Sequence, residues 1–372
     1  MREGWKYQKL GELVKVINGL WVGKKPPFTN VAVVRKANFT KSCTLDMSNI
    51  AYIDVEEKQF NTRELQYADI IIEKSGGSEK QPVGRPVFFN IKDRGYSFSN
   101  FTATLRVVSS DIVPEYLYKV LLAQYKQGVT KRLQSKTTGL HNLDFKSYLK
   151  SVIPIPSCEK QLSIVSELDK INELIRLKKE QLKDYDNLAQ SIFYEMFGDP
   201  VVNEKGWEVK KFADLYKLKS GDSLSAKNFV EGEIPVYGGN GISGYHNDFN
   251  MDGDFIIIGR VGVYCGNVRE VHGKFWLTDN AFQLFYNREI QYPCFIHYLL
   301  EILDLHQYAN AAAQPVISNL TLKDVEIIIP PLPLQQLFAQ GIELIEQQKA
   351  EIQSTIADLE TLLASRMQYW FD

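Results

Sequence analysis

The residues that could do chemistry in this chain lie mainly in glycine-bearing polar loops. In the segment YGGNGISGYHN, Gly239, Gly241 and Gly244 have the spacing GxGxxG, which opens a helix in dinucleotide-binding proteins. Here the residues that follow, YHNDFNMDGDF, include turn formers and show no helical pattern. The glycines therefore predict a backbone loop that comes close to a partner. The alternative is a tight structural turn with Tyr237 and Tyr245 in the core.

Other patterns typical of catalysis are missing from the sequence. The five histidines show no metal-ligand spacing and the four cysteines form no CxxC pair, so we expect reduced core thiols. No P-loop is present. The nuclease-like Glu-x-Lys triplets at Glu56 and Glu208 lack a convincing preceding Pro-Asp pair. We therefore predict no metal site, no cofactor and no catalysis in this chain.

Basic and amide side chains cluster in three polar loops of the first part of the chain, in VGKKPPF, EKSGGSEKQPVGRP and TKRLQSKTTGLHN. Lysines and arginines in such loops suit contacts to phosphates, and Arg, Gln and Asn can also pair with base edges. The alternative is that most of these charges are ordinary solvated surface. The candidates are Lys24, Lys25, Lys74, Ser75, Lys80, Arg85, Lys131, Arg132, Gln134, Lys136 and Thr137.

A second candidate surface is predicted around the glycine loop described first. Polar and aromatic side chains would project from this loop, and the later segments IIIGRVG and NAAAQPVISN would complete the surface. The candidates are Tyr237, Asn240, Tyr245, His246, Arg260, Asn310 and Gln314.

The net charge of −2 conceals a difference between the two parts of the chain. Residues 1–157 hold 24 Lys and Arg against 14 Asp and Glu, a net of +10, which is typical of a polyanion binder. Residues 198–332 hold 11 against 17, a net of −6. The second part would therefore rely on local patches, or on basic partner subunits, to bind a polyanion.

An internal repeat supplies the elements that must position these loops. GWKYQKLGELVKVING (4–19) returns as GWEVKKFADLYKLKSG (206–221), and further matches follow in the same order. Each half predicts a buried strand running into a glycine-rich turn, an alternating strand, a helix opened by proline and a proline-punctuated exit. The paired segments are 67–77 with 253–262, 98–107 with 278–287, 114–124 with 293–303, and 151–162 with 326–337.

A heptad pattern follows each exit. Apolar residues step alternately by 4 and 3 over more than four heptads free of proline, which favours a coiled coil over two buried helices of an ordinary core. Each helix would span about 37 residues, or roughly 55 Å. Lys178, Lys349 and Arg366 interrupt the pattern, and such polar residues can set register. The predicted seam is Ile164, Leu168, Ile171, Ile175, Leu182 and Ile192 with Phe338, Ile342, Ile345, Ile352, Ile356, Leu359 and Leu363.

The predicted fold class is α+β, with two mixed α/β globules and two long helices that form an antiparallel coiled coil in a pseudo-two-fold repeat. Residues 1–157 form the first globule and residues 158–197 the central helix. Residues 198–332 form the second globule and residues 333–372 the C-terminal helix.

This plan resembles the specificity subunit (HsdS) of Type I restriction-modification systems over essentially the whole chain. The resemblance lies in the two GW starts, IPVYGGNGISGYHNDF (234–249), IIIGRVG, the exits IPIPS and IPPLPLQQ, and FGDPVVNEKGW between helix and second globule. It implies two target recognition domains that each read half of a split double-stranded DNA sequence. It also implies two helices that set the spacer and bind two methyltransferase subunits, with a translocating nuclease subunit as a further partner.

Two expectations accompany the resemblance. Adenine methyltransferases carry an Asn/Asp-Pro-Pro-aromatic tetrapeptide, and KPPF and IPPL lack the Asn or Asp. The resemblance therefore puts S-adenosylmethionine in the partner methyltransferase. The chain has no run of 18 apolar residues and its first residues lack a signal-peptide pattern, so we expect a cytoplasmic protein with no membrane association. The alternative function is a coiled-coil protein scaffold that does not bind DNA.

Overall fold

The computed structural model describes residues 2–21, 23, 25–79, 81–137, 140–310 and 314–371, with only the backbone of residues 136 and 137. The chain divides into two compact units. Unit 1 comprises Met1–Leu177 and Ala357–Asp372, and unit 2 comprises Lys178–Ile356. Each unit contains one globule and a part of each long helix.

Unit 1 is built from short strands, short helices and a 3-10 turn at Lys36–Asn38. The strands are β1 (Lys6–Lys9), β2 (Val14–Asn18), β3 (Phe28–Val34), β4 (Ala51–Glu56), β5 (Ile70–Glu73), β6 (Ser75–Gly77), β7 (Pro86–Phe88), β8 (Tyr96–Phe98), β9 (Thr102–Val107), β10 (Gln134–Thr137), β11 (Leu140–Leu143) and β12 (Val152–Ile155). The helices are α1 (Leu10–Leu13), α2 (Glu57–Arg63), α3 (Pro114–Lys126), α4 (Val129–Arg132) and α5 (Phe145–Tyr148), followed by the long α6 (Cys158–Phe197), which continues into unit 2.

Unit 2 repeats much of this order. Its strands are β13 (Glu208–Lys211), β14 (Lys217–Ser220), β15 (Ile234–Gly238), β16 (Gly241–His246), β17 (Met251–Gly259), β18 (Val268–Leu277), β19 (Ala281–Phe285) and β20 (Glu326–Ile329). Its helices are α7 (Phe212–Leu215), α8 (Pro293–Ile302) and α9 (Asn319–Leu322), with 3-10 turns at Ala226–Asn228 and Leu305–Tyr308. The long α10 (Leu332–Phe371) begins in unit 2 and ends in unit 1.

The order of the strands in the main sheets shows the same repeat that the sequence contains. In unit 1 the main sheet has the order β2-β9-β5-β7, and in unit 2 the six-stranded sheet begins β14-β19-β17. The segment Ile70–Ile72 is fully buried in β5 because its apolar run packs on both faces of the sheet. The pairs β1·β12 and β13·β20 are also equivalent, and both are antiparallel. The predicted fold class is confirmed.

The repeated glycines have a packing reason. A side chain at Gly19 would lie 1.9 Å from the backbone oxygen of Ser99, and one at Gly221 would lie 2.2 Å from that of Leu277. Both glycines end the duplicated opening segment. Each contacts the backbone just before an equivalent strand, β9 in unit 1 and β19 in unit 2. Because no larger residue fits at either place, both units have a glycine at this position.

The two long helices run antiparallel within each unit. In unit 1, Arg366 of α10 pairs with Glu167 of α6, and Trp370 donates to the same carboxylate at 3.1 Å. In unit 2, Lys349 lies 2.8 Å from Asp186. Lys160 also contacts Trp370 in unit 1, and Phe197 contacts Phe338 in unit 2, so within each unit residue numbers rise along one helix while they fall along the other.

The structure buries or half-buries every residue of the predicted seam. Leu182, Ile192 and Leu359 are the half-buried ones. Near the end of α6 the buried positions move by one residue, to Phe193 and Phe197, which are fully buried. These two rings pack on Phe295 of α8 and Phe338 of α10, so contact with the globule overrides the strict heptad register.

A buried glutamine joins each long helix to its globule, a feature not predicted from the sequence. Gln335 accepts from the backbone N–H of Tyr292 at 2.8 Å and donates to the backbone oxygens of Ile290 and Pro330. Gln161 makes the equivalent bonds in unit 1, with Val113 as its donor. Tyr292 and Val113 are the N-cap residues of α8 and α3, so each glutamine satisfies a helix terminus that would otherwise be unpaired.

Candidate nucleic-acid interface

A small three-stranded sheet brings two of the predicted clusters of unit 1 together. Its strand order is β10-β11-β6, so β11 joins the loop that starts at Lys74 to the segment Gln134–Thr137. Asn142 of β11 pairs with Ser75 of β6, and the Ser75 hydroxyl bonds to the Asn142 side chain. Ser75 and Asn142 are 67 positions apart in the sequence and share one surface, and Asn142 joins it without having been predicted.

Two hydrogen bonds fix the position of Lys74 next to this surface. Its Nζ donates to Asn18 Oδ1 at 2.9 Å, and its backbone N–H donates to the oxygen of Phe101. Partial burial lowers the pKa of the Lys74 ammonium group. The ring of Phe101 is 47% exposed beside it, so the surface includes an aromatic side chain that could stack on a base.

Lys131 and Arg132 stand at the edge of the same small sheet. Both are exposed on α4. Gln134 turns inward, where its amide donates to the Lys131 backbone oxygen and its oxygen lies 3.0 Å from Nδ1 of His141. The exposed pair suits phosphate contact, whereas Gln134 and His141 form a polar pair within the surface.

Arg85 requires a correction. Only 4% of the residue is exposed, and its guanidinium pairs with the buried carboxylate of Glu73 and donates to the backbone oxygen of Phe39. A buried cation needs such a partner, so Arg85 is a core residue and not a DNA contact. The sequence alone did not indicate that Arg85 is buried, because Glu73 and Arg85 come together only when the chain between them turns back.

The remaining candidates of unit 1 are Lys24, Lys25, Lys80, Lys136 and Thr137. Lys25 is exposed, and its backbone N–H donates to the Glu56 carboxylate at 2.8 Å. Lys24 and Lys80 lie outside the described residues. Lys136 and Thr137 belong to β10, which places their backbone in the small sheet.

In unit 2 the glycine loop is a hairpin between β15 and β16, and it opens no helix. A side chain at Gly239 would lie 2.8 Å from the oxygen of Val261, so the loop packs directly on the segment after β17. Val261 in turn bridges to Val316. The structure thus brings the glycine loop, the residues around Arg260 and the segment around Val316 close together.

Arg260 of unit 2 occupies the same place as Lys74 of unit 1. Each is the second residue after the buried isoleucine run, and each backbone N–H donates to the residue before the next core strand, Asn280 or Phe101. The Arg260 guanidinium donates to the backbone oxygen of Asp279 and lies 3.5 Å from the Ser220 hydroxyl. Asn18 and Ser220 both precede the repeated glycine, so the two cations are held by equivalent residues.

Asn310 has a local structural role at this surface. Its side-chain oxygen accepts from the backbone N–H of Val316 at 2.9 Å, and Gln314, two residues before Val316, is exposed. Val263 and Tyr264 lie in the neighbouring loop and are 76% and 50% exposed. Their exposure in a glycine-flanked loop makes them additional candidates that the sequence did not single out.

His246 requires the second correction. It is 7% exposed, its Nδ1 accepts from the backbone N–H of Val230, and its ring packs against Trp276. It is therefore a core histidine, which is the usual role of a buried, hydrogen-bonded ring. Tyr237 is half-buried and packs edge-on against Phe275, whereas Tyr245 is 55% exposed and available to a ligand.

No group of three or more potential metal ligands occurs among the described residues. Within those residues, no helix is both long and apolar enough to span a membrane.

Solved structures define the class of this duplicated fold. An S subunit of a Type I restriction-modification system from M. genitalium superposes with a TM-score of 0.57 at 15% identity, covering 99% of this chain and 96% of that one. A chain from work on complex assembly and conformational transition of the type I R-M system gives 0.62 at 18% identity, covering 100% and 98%. The fold is that of such S subunits.

The sequence comparison identifies the family. Residues 2–184 and 204–360 match the Type I restriction modification DNA specificity domain, so the chain belongs to this family. The Escherichia coli EcoprrI specificity subunit is 29% identical over 220 residues, covering 55% of this chain and 54% of the relative. The Methanocaldococcus jannaschii MjaIX specificity subunit is 23% identical over 254 residues, covering 62% and 56%. The match thus spans about half the length of these two relatives.

Proposed function

We propose that this chain is the DNA-recognition subunit of a Type I restriction-modification complex and has no catalytic activity of its own. Unit 1 and unit 2 would each read one half of a bipartite double-stranded DNA target. The observation that carries the proposal is the equivalence of Lys74 and Arg260. In each unit the cation follows the strand that contains the buried isoleucine run. The polar loops around the cation differ between the units.

This arrangement is what separate reading of two sequences requires. A common scaffold keeps the position of a phosphate-contacting cation, while variable loops supply groups for base edges. The exposed candidates in unit 1 are Lys131 and Arg132, and those in unit 2 are Asn240 and Tyr245. An asparagine can form paired hydrogen bonds with adenine, and an exposed aromatic ring can stack or contact a methyl group.

We further propose that the long helices set the unread spacer and bind two methyltransferase subunits. Leu337 and Leu344 are 58% and 64% exposed and lie one heptad apart on α10. Leu188 of α6 and Leu362 of α10 are each 45% exposed. Exposed leucines at heptad spacing on a helix that is already paired favour contact with further helices. The methyltransferase would supply S-adenosylmethionine and the methyl transfer, and a restriction subunit could complete the complex.

A methylation map tests this proposal. Genomic DNA from cells that carry this chain with its modification subunits should contain methylated adenines in a motif of two short blocks with a fixed unread spacer. Deletion of the gene for this chain should remove the motif. A continuous motif, or none at all, would contradict the proposal.

A protein-binding scaffold is the second candidate function. It is favoured by an open cleft of about 1510 Å³ in unit 2 whose lining includes Asp186, Glu270, Glu301, Glu343 and Glu346. The same lining includes two basic residues, Arg269 and Lys349, so carboxylates predominate and the surface disfavours a phosphate backbone. A salt titration of DNA binding by the assembled complex separates the two functions, because only a phosphate-contacting reader loses affinity steeply as salt rises.

A further inference from the structure

A buried charge cluster lies beneath the candidate surface of unit 1. Glu73, the last residue of β5, is fully buried. Its Oε1 lies 3.0 Å from Nζ of Lys36, and its Oε2 lies 3.1 Å from the guanidinium of Arg85. Lys36 is 35% exposed at its side chain, while Arg85 is buried.

The three charged residues hold both ends of the polar loop between Lys74 and Arg85. At the start of the loop, the Lys36 ammonium donates to the backbone oxygen of Gly76. At its end, Arg85 anchors the chain to the backbone oxygens of Phe39 and Thr40. The loop strand β6 between these anchors pairs with β11 of the candidate surface.

Unit 2 has no carboxylate at the equivalent place. Glu73 pairs with the first residue of β9, and Gly259 pairs with the first residue of β19. A side chain at Gly259 would lie 2.3 Å from the backbone oxygen of Gly239, which belongs to the glycine loop. The candidate loop of unit 2 therefore packs against the strand end by backbone contact. In unit 1 a charged side chain fills the corresponding position.

Stability alone gives a weak reason for such a cluster. Replacing a buried ion pair with apolar residues is often neutral or stabilising, because desolvation offsets much of the attraction. The duplicated scaffold also folds around a glycine at this position in unit 2. What the cluster supplies is a fixed geometry for the loop and its neighbour β11, since Lys36 and Arg85 each donate directed hydrogen bonds to backbone oxygens.

We propose that Glu73, together with Lys36 and Arg85, is a specificity-positioning cluster that fixes the DNA-reading surface of unit 1. This inference rests on the proposed function. Loss of the cluster would let β6 move relative to β11. Selectivity for the half-site read by unit 1 would then fall, while unit 2 would still read its own half-site.

The test uses the complete complex with its methyltransferase subunits and the motif found for the wild-type complex. Methyl transfer is measured on two sets of duplexes, each with substitutions in one half-site only. Lys36→Met removes the bond to Gly76 but leaves the Glu73–Arg85 pair, and Lys36→Arg keeps a donor. Lys58→Met, which replaces an exposed lysine on α2 of the same unit, is the matched control.

We expect Lys36→Met to reduce discrimination at one half-site about tenfold, within the range that a single base contact provides. The other half-site should be unchanged in the same preparation. Lys36→Arg should restore most of the discrimination, and Lys58→Met should match the wild type. Glu73→Gln should have a larger effect if the variant folds.

The outcomes distinguish failure of the proposed function from failure of the positioning role. A wild-type complex without a bipartite motif would refute the proposed function itself. A bipartite wild type with unchanged selectivity in folded Lys36→Met would overturn the positioning role. Equal loss at both half-sites would also overturn it, because it would indicate general destabilisation. Thermal unfolding of each variant establishes that it is folded, and Lys36→Met decides the matter if Glu73→Gln does not fold.

Discussion

At the scale of single residues, the same residue type has opposite roles within unit 1. Arg85 is buried against Glu73, whereas Arg132 is exposed on a short helix. Both arginines occur in polar segments that the sequence predicts as loops, so local sequence makes them equal candidates. The difference arises from a carboxylate twelve residues earlier in the chain, which makes burial of Arg85 tolerable.

The double variant Lys131→Ala, Arg132→Ala should weaken DNA binding by the assembled complex at every sequence. The slope of log affinity against log salt is negative, and if both side chains contact phosphates its magnitude should decrease by about 2, because each phosphate contact contributes roughly 0.9. Fluorescence anisotropy over a salt series measures this slope. The control is Lys146→Ala, Lys150→Ala, which removes two exposed lysines of the same unit. An unchanged slope in the first variant would remove this pair from the interface.

At the scale of elements, the ends of the long helices are fixed by specific polar contacts. The carboxylate of Glu167 pairs with Arg366 and accepts from Trp370, and these contacts hold the pKa of Glu167 below its ordinary value. A carboxylate with a lowered pKa stabilises the folded state above the pKa of the unfolded chain. That contribution is lost as pH falls through the folded pKa.

Glu167→Gln should therefore reduce the free energy of unfolding by about 0.5 to 1 kcal/mol at pH 7, the range for partly exposed ion pairs. The difference from wild type should shrink as pH falls below about 4.3, the ordinary glutamate pKa. Urea unfolding at several pH values measures both effects. Glu173→Gln, which removes an exposed pair with Arg176 on the same helix, should have a smaller effect. A difference that does not depend on pH would contradict the assignment.

The buried glutamines make a sharper prediction about how each helix is attached. Gln335→Leu should cost about 2 to 3 kcal/mol, because it leaves buried backbone groups at Ile290, Tyr292 and Pro330 without partners. Gln336→Leu, one residue later and exposed, should be close to neutral. Chemical unfolding of the two variants gives the comparison. Equal stabilities would show that Gln335 contributes no more than its exposed neighbour.

At the scale of the whole molecule, the boundary between the units crosses both long helices. It falls between Leu177 and Lys178 in α6 and between Ile356 and Ala357 in α10. Both helices are 40 residues long and continuous across this boundary. If the helices set the spacer as proposed, this is the place at which their length can be changed without altering either globule.

Insertion of one heptad at both boundary positions should lengthen the unread spacer by about 3 base pairs. Seven residues add about 10.5 Å of helix, and successive base pairs are about 3.4 Å apart. The two half-site sequences should stay the same, and a methylation map provides the measurement. A heptad inserted in α6 alone should instead disrupt the paired seam and reduce methylation. Retention of the original spacer in the double insertion would show that the helices do not set it.

The sequence patterns predicted the fold class of this protein. The repeated opening segments, the buried isoleucine runs and the heptads predicted the duplicated α+β fold and its two long helices. These patterns are readable because strand and helix periods are local properties of the chain. The resemblance to the family rested on the same repeated segments.

Tertiary structure decided which polar residues face a ligand and which belong to the core. It buried Arg85 and His246, joined Ser75 to Asn142, and brought Arg260 to the place that Lys74 occupies in the other unit. The sequence could not predict these outcomes, because burial of a polar group depends on partners that are distant in the chain. The regular elements follow from local periodicity, and the recognition surface follows from which loops the folded strands bring together.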